Sequence, residues 1–190
     1  MTPTQQTALC EFILSQEART DSKGNLTVYT LPPGDGGGLF EVAGINDRFD
    51  HDLAYQLRAF IQQGQQEQAK ALALSYYWTD TQDVAAWSSV PAVEAFLRDC
   101  VFNRGEGGTV RIIQIALQCQ GIKEDGVFGP ITGQAVAVME GQPEVFLMLL
   151  RLARELYEHQ VAPPVGVRAK FWAGLENRWD ACYAFAKGLL

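Results

Sequence analysis

Glu17 closes an apolar run that includes Leu9, Phe12, Ile13 and Leu14, and Asp35 follows inside Gly34-Asp35-Gly36-Gly37-Gly38. A carboxyl group fixed at the end of a helix, and a second on a backbone able to bend sharply, are the parts needed to hydrolyse a glycosidic bond. One protonates the leaving oxygen, and the other activates water or stabilises the charge that develops on the sugar ring. Glu41, on the short segment that follows the glycines, is the competing partner for Glu17. Carboxyl groups ~6.5–9.5 Å apart would imply inversion at the anomeric carbon, and ~5–5.5 Å retention.

These groups need elements to hold them. The spacing of Leu9, Phe12, Ile13 and Gln16 predicts a helix over 4–18 with Thr4 as its cap. Asp21-Ser22-Lys23-Gly24-Asn25 is turn chemistry, and 26–30 alternates as a short strand. The consecutive glycines weaken local order through backbone entropy, so they point to the close approach of a ligand or an unusual backbone path. The segment 39–45 fits strand or loop. From Phe49 the pattern is helical: Asp50 or Asp52 opens a helix ending at Gln63, and further helices are expected at 65–78, 91–102, 109–119, 131–139, 143–159 and 167–189. Gly105-Glu106-Gly107-Gly108 is the expected junction between lobes.

The chain has 190 residues, 47% hydrophobic and 19% charged, which is the balance of a folded globular protein. A formal charge of −7 argues against nucleic acid as a partner, because phosphate neutralisation needs a surplus of Lys and Arg. Four cysteines without a CxxC pair, and two isolated histidines, His51 and His159, supply no metal site. Buried single thiols are the expected state of the cysteines, and no cofactor is expected. No apolar run reaches bilayer length, so no membrane insertion is expected. The N-terminus lacks a basic region followed by an apolar stretch. Synthesis in the cytoplasm without a signal peptide, and action in the periplasm or at the cell wall after lysis or secretion, is the matching expectation.

In the second half, Asp125-Gly126-Val127-Phe128-Gly129-Pro130-Ile131-Thr132 reads first as a tight turn leading into a helix. Asp99 and Asn103, four apart on one helical face, could line a groove or brace the loop above it. Tyr29 and Trp78 are aromatic residues suited to stacking on sugar rings, whereas Trp172 and Trp179 are expected in the core. Tyr29, Asn46, Trp78, Asp99 and Asn103 are the candidate substrate contacts. No serine lies in a nucleophile-elbow context.

Two resemblances follow from these residues. Glu17, then Gly34-Asp35-Gly36 and Ala43-Gly44-Ile45, resembles the active-site region of family 46 chitosanases, of the lysozyme-like superfamily. The resemblance implies that Glu17 is the acid and Asp35 the base that activates water, with inversion. Val42 stands where that family has the Thr that helps to position water. The segments 96–105, 113–118 and 125–132, with Lys170-Phe171-Trp172 through Trp179, are similar to the C-terminal half of family 108 lysozymes, endolysin-type muramidases of phages and bacteria. That half is often described as a peptidoglycan-binding region. Glu17-Ala18-Arg19-Thr20 keeps only the acidic residue of their Glu-Gly-Gly-Tyr.

The resemblances imply a mainly α, lysozyme-like, two-lobed fold with a small β element after the first helix. It would be a single domain over 1–190, with a catalytic lobe at 1–104 and a helical lobe carrying the peptidoglycan-binding-like motif at 105–190. The expected activity is a lysozyme-like muramidase that cleaves the β-1,4 glycan backbone of peptidoglycan. The alternatives are a chitosanase-type hydrolase, which the acidic balance favours because chitosan is a polycation, or an inactive wall-binding module. A third reading, compatible with muramidase activity, is an antibacterial effector paired with an immunity or inhibitor protein.

Overall fold

A computed structural model describes residues 1–32, 37–118, 121–166 and 169–190. The architecture is mainly helical, with a small three-stranded antiparallel sheet after the first helix. The chain gathers into two units, Gln6–Asp80 and Thr81–Leu190, the second completed by Met1–Gln5.

Helix α1 runs Pro3–Glu17. Its cap is Thr2, two residues before the expected Thr4. The Gln5 amide donates to Thr2 Oγ1 at 3.3 Å, and the Thr2 amide donates to Gln5 Oε1 at 2.8 Å. This reciprocal capping box, followed by Pro3 at the first helical position, satisfies amides that the helix cannot. Leu9, Cys10, Ile13 and Leu14 are the buried residues of α1. After the helix, Asp21 accepts from the amides of Lys23 and Asn25 at 2.8 and 2.9 Å, which closes the expected turn. The chain then doubles back, so that Thr20 bridges Leu26 and the Thr27 amide donates to the Arg19 carbonyl at 3.0 Å.

The sheet consists of β1 (Val28–Thr30), β2 (Phe40–Val42) and β3 (Ile45–Asn46) in the order β1-β2-β3. Segment 39–45, which fitted strand or loop, is therefore a hairpin, and Leu26 lies outside β1 in an isolated bridge. Side chains alternate across a strand, so Phe40 and Val42 turn inward and are buried with Ile45 on β3. Helix α2 (His51–Gln62) packs on β2 and β3, and α3 (Gln66–Asp80) packs on α2. Ala69, Ala73 and Tyr77 recur every four residues along the buried stripe of α3, two small residues and then one large.

The second unit is built on α4 (Pro91–Ala116), preceded by a short 3₁₀ turn at Gln82–Ala86. Around α4 are α5 (Pro130–Met139), α6 (Pro143–Val161) and α7 (Ala169–Lys187). The principal packing is α4 on α6 and α7, and α6 on α7. The helices expected at 91–102 and 109–119 are the two arms of α4, which meet at a non-helical kink at Gly105 (φ 68°, ψ 172°), and this expected junction lies within the second unit. A positive φ of that size favours glycine. Trp172 and Trp179 are buried, as expected. Among the described residues the free thiols are Cys10, Cys100 and Cys182, all buried; Cys119 lies outside them.

Candidate functional site

The register of the sheet brings three predicted residues together. Tyr29 on β1 is paired with Glu41 on β2, and Glu41 with Asn46 on β3. Paired residues point to the same side of a sheet, so the three form a row on the face opposite Val42 and Ile45. All three are half-buried. Arg19, not anticipated as a site residue, is beside them. Its guanidinium carbon lies 3.6 Å from the Tyr29 ring centroid, and its Nε lies 3.9 Å from Glu41 Oε1.

Glu17 reaches the same hairpin from the end of α1. The turn from β2 to β3 is Ala43-Gly44, with φ of 53° and 74°. A two-residue hairpin turn with both φ values positive matches the right-handed twist of the strands it joins. Ala43 is strained in this conformation, and Tyr77 helps to hold it: the buried Tyr77 hydroxyl donates to the Ala43 carbonyl at 2.7 Å. Gly44 lies against the candidate acid, since a Cβ built on it would fall 2.8 Å from Glu17 Oε2 and 3.1 Å from Glu17 Cβ. Asn46 is two residues beyond Gly44, roughly 7 Å along an extended strand.

Gly44→Ala is therefore expected to displace the Glu17 carboxylate and to strain the turn. A loss of about 1–3 kcal/mol in stability, together with a fall in hydrolytic activity, is the expected outcome. Thermal melts and a wall-lysis assay on the variant check both.

The glycines before β2 have a local cause. A Cβ on Gly38 would fall 1.7 Å from Asp47 Oδ1, and one on Gly37 would fall 2.6 Å from Asn46 Nδ2. The close approach at Gly37 and Gly38 is made by side chains of the same unit, where the glycines had pointed to a ligand. Asn46 Oδ1 accepts from the amides of Gly38 and Arg48 at 3.1 and 2.9 Å. Asp47 Oδ1 accepts from Leu39 and Phe40 at 2.7 and 3.2 Å. Asn46 accordingly braces the loop that enters β2, in addition to standing in the row. Asp35 lies outside the described residues, as do Pro33, Gly34 and Gly36.

Trp78 is on α3, half-buried, and lines a cavity of about 210 Å³ with Cys10 and Leu74, without any other predicted site residue. A larger groove of about 470 Å³ runs past the Glu11–Lys70 ion pair, Asn25 and Gln66, and none of the predicted residues lines it. Tyr76 bonds both Asp50 and Asp80. Burial, together with the Asp50 charge, raises the Asp80 carboxyl above its ordinary range, against the lowering effect of the Tyr76 bond.

Asp99 and Asn103 belong to the second unit. Asp99 is fully buried, and its two oxygens accept from Arg154 at 2.8 Å and Arg178 at 2.9 Å. It braces helices α4, α6 and α7 from within and does not line a groove, which corrects the expectation for this residue. Asn103 is half-buried on the same helix, with its Oδ1 buried. Nearby, Arg104 pairs with the buried Glu158.

The Asp-Gly-x-x-Gly-Pro turn is tied down by Gln114. Its Oε1 accepts from the amides of Asp125 and Gly126 at 3.0 and 2.8 Å, and its Nε2 donates to Asp125 Oδ1 at 2.7 Å. Gly126 has φ of 76°, but Gly129 has −99°, so only the first needs glycine's freedom. Pro130 takes the first position of α5, as its fixed φ allows.

Among the described residues no group of three or more His, Cys, Asp or Glu side chains could hold a metal ion. No helix among them is long and apolar enough to cross a membrane. What the geometry assembles is one helix-end carboxylate against a hairpin, with a second carboxylate, an aromatic ring and an amide across that hairpin's face. No family model and no curated protein matches this chain.

Proposed function

We propose that this chain is a peptidoglycan-degrading glycoside hydrolase of the lysozyme-like type, cleaving the β-1,4 glycan backbone. The observation that carries the proposal is the contact of Glu17 with the Ala43-Gly44 turn, because Glu41 extends from the same hairpin. In this scheme Glu17 is the general acid that protonates the leaving glycosidic oxygen. The second carboxylate is Asp35 or, failing that, Glu41, which is the one of the two among the described residues. Tyr29 carries the Arg19 guanidinium over its ring beside Glu41, and Asn46 supports the loop alongside. The resemblance to endolysin-type muramidases favours peptidoglycan as substrate and is compatible with an antibacterial effector held in check by an immunity protein. Delivery to the wall would follow lysis or secretion.

Mass analysis of products from purified cell walls tests the proposal. Soluble muropeptides with new reducing ends at muramic acid are expected; ends at glucosamine would move the cleaved bond, and no release would refute hydrolysis. The exposed Arg19 guanidinium beside Glu41 favours a second reading, a module that binds the wall without cutting it, since such a cation can hold an anionic group without any chemistry. That module would sediment with insoluble walls and release nothing.

A further inference from the structure

The geometry points to Arg19 as the residue that selects a glycan bearing carboxylates, an inference that rests on the proposed hydrolase function. Arg19 is in neither resemblance: it occupies a position within Glu17-Ala18-Arg19-Thr20 that departs from the muramidase pattern. Three observations give it this role.

Its backbone is fixed, since the Arg19 carbonyl accepts from both the amide and the hydroxyl of Thr27 at 3.0 Å. Its guanidinium is laid on the Tyr29 ring at 3.6 Å, so the plane of the side chain is set before any ligand arrives. Stacking of this kind lowers the conformational entropy that a long cation loses on binding.

The side chain is also 57% exposed, and its separation from Glu41, 3.9 Å, is longer than a hydrogen bond. That pair orients the guanidinium without engaging its donors. An oriented, accessible guanidinium presents parallel N–H groups that match the two oxygens of a carboxylate.

Muramyl residues carry lactyl-linked peptides whose side groups and ends bear carboxylates. Chitin carries none, and chitosan presents ammonium groups, which a guanidinium repels. In a chain of net charge −7, a cation placed beside the candidate carboxylates opposes the general preference for polycations. It turns the site toward an anionic strand.

The test uses the full chain carrying Glu17→Gln, so that binding is read without digestion. Co-sedimentation is measured with native peptidoglycan and with peptidoglycan whose carboxylates have been converted to amides. Arg19→Gln is expected to weaken binding to native walls about tenfold, the size of one charge-assisted hydrogen bond. Amidation of the walls is expected to weaken binding of the Arg19-containing protein by the same factor. Combining the two changes should bring no further loss, and Arg19→Lys should restore part of the affinity. An equal loss from Arg19→Gln on native and amidated walls, or no loss on either, would overturn the assignment. Thermal melts confirm that the variants are folded. Hydrolysis by the wild-type chain is scored separately, so an intact binding cycle with no muropeptide release would refute catalysis and leave the role of Arg19 standing.

Discussion

Glu17→Gln is expected to lower the rate of turbidity loss of purified cell walls by about 10²–10⁴-fold, the usual contribution of a positioned general acid. The amide keeps the shape of the side chain and cannot deliver a proton. Glu17 is the last residue of α1, half-buried, and packed against a glycine that leaves room for little else. Substitution by Gln preserves that packing, so the melting temperature should stay close to wild type. Loss of activity with an unchanged melt would identify a chemical role; wild-type activity in the variant would eliminate Glu17 as the acid.

The largest effect on stability is expected in the second unit. Asp99→Ala removes the anion shared by Arg154 and Arg178, and Arg154 is fully buried. Breaking a buried pair from one side leaves an uncompensated charge and costs about 3–5 kcal/mol. In a chain of this length that lowers the melting temperature by roughly 6–20 °C. Replacing Asp99, Arg154 and Arg178 together with apolar residues of similar volume should recover much of the loss, because the pair's desolvation disappears with it. Failure of the single variant to shift the melt would show that the network contributes little.

The same carboxylate sets an acid limit. Burial alone would raise the Asp99 pKa, but the Arg154 and Arg178 guanidiniums outweigh it and hold the group below the usual carboxylate range. A depressed folded-state value stabilises the protein fully above the unfolded value of about 3.9. That stabilisation is lost as pH falls through the folded value. Acid unfolding monitored below about pH 4 should therefore be less steep in Asp99→Ala than in wild type.

Much of this was legible in the sequence, and the limits are physical. Helices declared themselves through apolar spacing, so α1 to α3 and α5 to α7 fall close to their expected spans. Gly105 interrupts the helical path where two helices were expected, but the break lies inside the second unit, because both arms pack into one core. Glu17, Glu41 and Tyr29 could be named as candidates from type and position. Arg19 and Tyr77 were not, since their importance lies in contacts across the unit, to Tyr29 and Glu41 in one case and to the Ala43 carbonyl in the other. Asp99 showed the opposite failure: a polar residue at helical spacing resembles a groove residue until its two arginines, far along the chain, are seen to enclose it.

The kinked helix α4 also bears on how such a chain could be recombined. The stretch that carried the sequence resemblance begins at Phe96, in the interior of α4, and both arms of that helix contribute to the core. A cut at Gly105 would sever a helix whose first arm supplies Phe96, Leu97 and Asp99 to the packing against α6 and α7. The natural seam is Asp80–Thr81. The piece that could be exchanged between proteins as a cassette is therefore longer than the motif by which it is recognised, and it must carry the whole of α4 with it.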